Sequence, residues 1–420
     1  MGTIRTAACL GIGSELLGTD RLDSNSLEIT ARLEALGIEV VAKGVADDTV
    51  EGITAMLACL ASRADLVVTT GGLGPTADDV TREALAAWAG RPLVEDAALA
   101  AAIRERYRAH GREMPPFALK MARLVEGATP LPNPRGAAAG MMLVRDGAVV
   151  AVLPGVPHEM REILESELVP RLRTMAAGER ILRRTLFLSG VYESDVERRI
   201  APLYDRFGRT DVTVLCSAGT LRIVLRARGT QAEAARRLDE MTAAFSEAVG
   251  DDLAAVDRDD LAGIVVERLA GLGQTVATAE SCTGGLIGGA LTAVPGASSV
   301  FLGGVIAYSN GSKSRDLGVD PAVLEREGAV SEPVARAMAE GARRRFGTDW
   351  GIGVTGIAGP GGGTPDKPVG LVHWAVAGPE ETVARHRVFP GDRAYVRRAT
   401  VAMALDLLRR RLGRAADDGD

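Results

Sequence analysis

The run Ala279-Glu280-Ser281-Cys282-Thr283-Gly284-Gly285 places a serine between a short apolar stretch, Thr275-Val276-Ala277-Thr278, and a helix-like stretch beginning Leu286-Ile287. A hydroxyl on a strand-to-helix turn stands clear of its sheet. The glycines behind it leave helix-start N–H groups open to a ligand or a developing oxyanion. That is the position of a nucleophile, and no histidine accompanies it. The next strand-like run ends in a second polar cluster, Ala307-Tyr308-Ser309-Asn310-Gly311-Ser312-Lys313. Adjacent strand ends of an open α/β sheet face one crevice, so Ser281, Tyr308 and Lys313 are expected to meet there. A lysine whose pKa is lowered by desolvation then serves as base, an established variant of the serine triad. Tyr308 relays a proton or donates to the oxyanion. Cys282 is the rival nucleophile, although a thiol at a helix start usually packs inward. Alone, Ser281 and Thr283 read as helix caps; beside Tyr308 and Lys313 the catalytic reading is preferred.

A third loop, Val354-Thr355-Gly356-Ile357-Ala358-Gly359-Pro360-Gly361-Gly362-Gly363-Thr364-Pro365, also follows a strand. Its glycines can form a nest of N–H groups for phosphate or carboxylate, but no GKS or GKT closes it as a Walker A loop. The N-terminal part carries a different set. Gly11-Ile12-Gly13-Ser14-Glu15 is half of a dinucleotide fingerprint, with Glu15 opposing a pyrophosphate unless a metal intervenes. Gly71-Gly72-Leu73-Gly74-Pro75-Thr76-Ala77-Asp78-Asp79 offers backbone N–H groups for phosphate oxygens and two carboxylates for a hard cation. One of Asp78 and Asp79 is expected to cap the helix that follows, leaving the other for a ligand. Asp23, Asn25 and Asp47 sit at strand–helix junctions on the same rim, and Leu153–Met160 is a rigid turn shaping the pocket.

These loops need elements behind them. Strand and helix alternate through the first part: strands at Thr6–Ile12, Ile38–Val41, Asp65–Thr70, Met141–Val144 and Ala148–Leu153, with helices between them. The pattern predicts an open parallel sheet with ligands at its carboxyl ends. From Ile181 to Asp257 the order β-α-β-β-α predicts a small α+β module with an antiparallel sheet, read as a spacer or dimerisation unit. The last part begins with a helix at Leu261–Leu272 and ends with one at Tyr395–Leu412. Between them lie strands at Thr275–Thr278, Phe301–Ser309, Trp350–Thr355, Leu371–Ala377 and Thr382–Phe389. The boundaries expected are 1–176, 177–257 and 258–413, with a frayed tail at 414–420.

A chain of 420 residues is too long for one core. At 46% hydrophobic and 25% charged residues it is a folded protein, and only 4% aromatics make its core one of Ala, Val, Leu and Ile. A net charge of −6, without a basic, aromatic-interleaved pattern, weighs against direct nucleic-acid binding as its main task. Four scattered cysteines and four scattered histidines make no disulfide or zinc framework. With no apolar run long enough for a membrane span and no signal-peptide layout, a cytoplasmic location is expected.

The runs Gly13–Asn25, Gly71–Asp79 and Leu153–Met160 resemble the N-terminal domain of the CinA (competence/damage-inducible protein A) family. Ala279–Gly285, Ala307–Lys313, Val354–Pro365 and Lys367-Pro368-Val369-Gly370 resemble its C-terminal domain. The resemblance implies an α/β protein of three parts. These are an open sheet of molybdopterin-binding type, a small α+β connecting domain, and a three-layer α/β nicotinamide-nucleotide amidohydrolase domain. It implies deamidation of nicotinamide mononucleotide in pyridine nucleotide salvage, with Ser281 as nucleophile and Lys313 and Tyr308 as general acid/base partners. Thr283, Gly284, Gly285, Asn310, Thr355, Gly356, Gly359 and Gly361 would bind substrate, and no cofactor is needed. For the N-terminal domain it implies a metal-dependent ADP-ribose pyrophosphatase. Gly13, Glu15, Asn25, Gly71, Gly72, Gly74 and Pro75 would hold the nucleotide, and Asp78 and Asp79 would hold Mg, Mn or Co. The family's Gly-Thr-Glu-Leu-Leu-x-Gly run is here Gly13-Ser14-Glu15-Leu16-Leu17-Gly18-Thr19, its second glycine displaced by one. Small nucleotide substrates and a homodimer are expected. The alternative is a non-catalytic pterin binder or a competence/DNA-repair factor with a recombination-protein partner.

Overall fold

The computed structural model describes residues 2–417. It divides into two compact units, Met1–Leu182 with Ala227–Arg237, and Arg183–Arg226 with Leu238–Asp420. In the first unit, a six-stranded sheet runs in the order Glu39–Ala46, Thr6–Ile12, Leu66–Thr70, Ala148–Leu153, Gly140–Arg145, Thr129–Leu131. Alternation along Thr6–Ile12 sends Ala8, Leu10 and Ile12 into one apolar cluster and Ala7 and Cys9 into another. Helices therefore cover both faces, as a buried parallel sheet requires.

The sheet is not parallel throughout, contrary to the expectation from β/α alternation. Its first four strands are parallel, while Gly140–Arg145 and Thr129–Leu131 are antiparallel. Only Asp146-Gly147 separates the hairpin strands, both with positive φ (49° and 87°). Two such residues suit a type I′ turn, whereas a parallel crossover needs a dozen or more.

Residues 180–420 hold two further sheets. The smaller runs in the order Val212–Ser217, Thr220–Gly229, Arg180–Ser189, Leu253–Val256, with antiparallel pairs at both ends. Leu253–Val256 is a strand that the sequence reading passed over. Phe187 and Ala254 of this sheet lie in the same apolar cluster as Leu261, Val396 and Ala402. Asp406, on the last helix, is buried between Arg409 and Arg410, and Arg409 donates to the carbonyls of Asp251 and Leu253.

The larger sheet positions the site. Its order is Phe301–Ile306, Val276–Glu280, Trp350–Gly356, Leu371–Ala377, Thr382–Val388; the first three strands are parallel and the last two antiparallel. Trp350, Ile352 and Val354 face the helices Leu261–Leu272 and Arg393–Asp417. The opposite face meets Glu332–Phe346, a helix not anticipated from sequence, through Ala335 and Ala339. Gly351 and Gly353 allow that helix to lie close: a Cβ there would sit 2.1 Å from the Ala339 carbonyl oxygen and 2.3 Å from that of Ala335. The result is three layers, α/β/α. The last helix runs through Asp417; residues 418–420 of the expected tail lie outside the described residues.

Candidate functional site

Ser281 follows the strand Val276–Glu280, and its N–H donates to the Val354 carbonyl of the neighbouring strand at 3.0 Å. The cluster expected to be a loop after the next strand is instead the first turn of the helix Asn310–Leu317, opened by a reciprocal Ser309–Ser312 capping box. The helix turns Lys313 inward. Its Nζ lies 3.2 Å from Ser281 Oγ and 2.9 Å from the Ala307 carbonyl oxygen. Lys313 is 2% exposed and Ser281 8%. Both Nζ contacts are neutral oxygens, and no carboxylate pairs with the amine among the described residues. Burial therefore holds the Lys313 pKa below the usual lysine range. Cys282 is buried, and desolvation pushes its thiol up to about 12, against formation of the thiolate.

Tyr308 is placed differently from the expectation. Its side chain is 63% exposed, and its hydroxyl accepts from Arg393 at 3.0 Å rather than bonding to Ser281 or Lys313. Arg393 also donates to the Gly359 carbonyl at 3.0 Å, tying the Tyr308 loop to the glycine-rich loop from the start of the last helix. Sequence reading missed Arg393, and its only signal is the helix-start run Gly391-Asp392-Arg393, where Asp392 accepts from the Tyr395 N–H. The Thr355 hydroxyl is committed to the Ala329 carbonyl at 2.7 Å, so Thr355 braces the loop from below. Gly356 still belongs to the strand, paired with Val372, whereas Gly361 faces open space. Asn310 is exposed on the first turn of its helix.

The expectation that the glycines leave the helix-start N–H groups free is corrected. Gly285 and Ile287 donate to Glu280 Oε2 at 3.0 and 3.1 Å, and Gly288 donates to Oε1 at 2.8 Å. An acid immediately before the serine was the available signal, since carboxylates are stabilised at helix starts. Gly284 donates to the Ser281 carbonyl, and the buried Thr283 offers its own carbonyl to Arg397 while its hydroxyl has no partner among the described residues.

In the first unit the loops line a cleft of about 540 Å³ that includes Gly13, Glu15, Asn25, Gly71, Gly74 and Asp78. Gly72, Pro75 and Asp79 also line it, so the sequence-predicted set comes together. Gly71 is required there, because at φ 114° a Cβ would lie 2.1 Å from the Ile12 carbonyl oxygen. Asn25 donates to the Gly155 carbonyl at 2.9 Å. Beneath the glycine loop, Arg82 is 1% exposed and donates to the carbonyls of Leu73 and Met121.

The metal expectation does not match this geometry. Neither aspartate caps the following helix, whose N-cap is Val80. Asp79 instead staples its own loop, accepting from the N–H groups of Gly74 (2.8 Å) and Thr76 (2.9 Å) and from the Thr76 hydroxyl. Asp78 alone is exposed, and among the described residues no three His, Cys, Asp or Glu side chains gather into a cation cage. Nor is any helix among them long and apolar enough to cross a membrane.

Comparisons with known proteins follow this division. Residues 258–412 match the family model described as "CinA C-terminal domain". Residues 8–174 match that described as "Probable molybdopterin binding domain". A "CinA-like protein" of Solibacter usitatus (strain Ellin6076) is 42% identical over 409 residues, 97% of this chain and 98% of that protein. A "CinA-like protein" of Parasynechococcus marenigrum (strain WH8102) is 44% identical over 409 residues, 96% of this chain and 97% of that protein. The crystal structure of "competence/damage inducible protein CihA" from Agrobacterium tumefaciens is 44% identical across 36% of this chain and 92% of its own, with a TM-score of 0.35.

Proposed function

The chain belongs to the CinA family, and from that membership and the buried Lys313–Ser281 pair we propose that its second unit is a nicotinamide mononucleotide deamidase. The observation that carries the reading is an amine without a carboxylate partner among the described residues, 3.2 Å from a serine on a strand-to-helix turn. Burial shifts the balance toward the neutral amine, the form that can accept the Oγ proton. Ser281 Oγ adds to the carboxamide carbon and Lys313 Nζ takes its proton. The C–N bond then breaks, the proton leaves on ammonia, and the nicotinyl group remains on Oγ as an ester. Water, deprotonated by the same amine, hydrolyses that ester to nicotinate mononucleotide and returns the serine. Tyr308, held by Arg393 on the rim, is assigned to guide the proton to the departing ammonia. The backbone of Gly359–Gly361, with Thr355 beneath it, is assigned to the substrate.

Ammonia release from nicotinamide mononucleotide tests this directly. Wild type is expected to turn over, and Ser281→Ala to lose at least about 10³-fold in kcat with its fold intact. Undiminished release by Ser281→Ala removes the nucleophile assignment. No turnover by wild type favours the alternative, a non-catalytic pterin binder or competence partner.

A second reading concerns the first unit and rests on its cleft. We propose that it binds a nucleoside diphosphate such as ADP-ribose, the phosphates lying on the Gly71–Gly74 backbone. Because Asp79 is committed to its loop, no hydrolytic step is routed through a metal. Conversion of ADP-ribose to AMP and ribose 5-phosphate, assayed with Mg, Mn and Co and with a chelator, decides between hydrolase and binding module.

A further inference from the structure

We propose that Glu280 is a positioning residue for the deamidase reaction. By taking up the N–H groups of the helix start, it leaves those of Cys282 and Thr283 as the donors to the oxyanion. The inference rests on the deamidase reading above.

The backbone N–H groups from Ser281 to Gly288 divide between partnered and unpartnered ones. Ser281 donates to Val354, Gly284 to Ser281, and Leu286 to Thr283. Gly285, Ile287 and Gly288 all donate to the Glu280 carboxylate, whose side chain is 1% exposed. The N–H groups of Cys282 and Thr283 remain. Among the described residues they have no acceptor in any other residue, yet Cys282 is 5% exposed and Thr283 0%. Buried N–H groups are almost always paired, and leaving one orphaned costs free energy. Two consecutive N–H groups directly after Ser281, without an acceptor in any other described residue, are free to meet the oxygen of a tetrahedral intermediate. In serine hydrolases of other folds, the N–H after the nucleophile serves the tetrahedral oxygen.

Glu280 makes this arrangement possible. Its own carbonyl accepts from Ala307 at 2.8 Å, so the strand end is pinned on one side while the carboxylate pins the helix on the other. The turn between them, with Gly284 at φ 60° and Gly285 at φ 94°, has little freedom left. A carboxylate is needed because all three contacts are donors. A glutamine would set its own NH2 against at least one of them, and an aspartate reaches about 1.5 Å less.

The test compares wild type with Glu280→Gln and Glu280→Asp. Active-site concentration is titrated by a fluorophosphonate that labels Ser281, so unfolded protein does not count. Three quantities are read: kcat and KM for nicotinamide mononucleotide, and the affinity of the mononucleotide of pyridine-3-carboxaldehyde. That aldehyde forms a C–O bond with Ser281 Oγ, its carbonyl electron pair moving to oxygen and the Oγ proton to Lys313. It thus fills the oxyanion pocket without turnover. Expected is a loss of about 10- to 100-fold in kcat with KM within threefold, and an equal loss of aldehyde affinity. A purely structural role lowers the titratable fraction and nothing else. A kcat per titrated site within threefold of wild type, or unchanged aldehyde affinity, overturns the proposal. If Glu280→Gln does not fold, Glu280→Asp decides by the same readouts. If wild type is labelled at Ser281 but releases no ammonia, the substrate assignment fails instead, and the labelling rates of the variants judge the positioning role.

Discussion

Replacing Lys313 by methionine separates the cost of burying an amine from the benefit of having one. The burial penalty lowers the Lys313 pKa from 10.5. Between that lowered value and 10.5, the unfolded chain binds a proton that the folded chain does not. Wild-type stability therefore rises with pH across this window, by about 1.4 kcal/mol per unit, and is level above and below it. The methionine variant lacks this slope. Above the window it is the less stable protein, because the Ala307 carbonyl loses its 2.9 Å donor, at about 1–3 kcal/mol. Acidification through the window then erases that deficit within about one to two units. Urea midpoints of the second unit, measured for both proteins at pH 7 and at pH 10.5, give the difference free of groups that titrate alike in each. Under the proposed deamidase mechanism the same lysine sets the rate. An unshifted amine would be neutral in only about one molecule per thousand at pH 7.5, and each unit of lowering multiplies that fraction tenfold. For wild type, kcat/KM should climb tenfold per unit and break to a plateau below pH 10.5, and Lys313→Met should lose about 10³-fold or more. A stability difference that stays constant with pH, or a variant retaining a tenth of the activity, refutes the reasoning.

Two further predictions concern carboxylates outside that pair. Asp79→Asn should destabilise the first unit by about 1–2 kcal/mol, equally with and without a chelator, since its partners are the Gly74 and Thr76 N–H groups; Asp78→Asn should leave the melting temperature where it is. A chelator-dependent loss on Asp79→Asn would restore the metal role. Asp406→Asn, which leaves Arg409 buried without its 2.8 Å carboxylate partner, should cost about 3–5 kcal/mol in chemical denaturation. A change below about 1 kcal/mol would mean that the buried cluster is hydrated.

Much of the fold was legible because its strands are short apolar runs bounded by glycine, which few other structures satisfy. Thr6–Ile12 and Leu371–Ala377 lie where the pattern puts them. Strand direction was less legible, because it depends on connection length rather than composition. Asp146-Gly147 carried that information, and alternation of elements alone does not read it. The helix Glu332–Phe346 escaped although Val334, Ala335, Met338, Ala339 and Ala342 recur at helical spacing on its buried face, because three of these are alanines, which composition does not mark as core. The strands beneath reinforce the disguise by using Gly351 and Gly353, which look like loop residues until a helix is laid against them.

At the site, the split between what was legible and what was not follows the nature of each contact. Ser281 and Lys313 were paired in advance because parallel neighbouring strands bring their carboxyl ends together whatever the side chains are. Tyr308 stands on the same strand end, but rim position does not decide what an exposed phenol touches. Its partner Arg393 arrives from a helix eighty-five residues away. Glu280 was hidden for the opposite reason. It is adjacent to the nucleophile, yet along an ideal strand consecutive side chains point to opposite faces. A residue next to Ser281 was therefore not expected to act on its turn. The chain leaves strand geometry at Glu280 and curls back within five residues, so the carboxylate reaches the N–H groups of Gly285, Ile287 and Gly288. The two glycines that read as an open anion cradle are what let the chain curl, and the anion they receive is the protein's own. Among the backbone N–H groups of this turn, the curl leaves those of Cys282 and Thr283 for an external oxyanion.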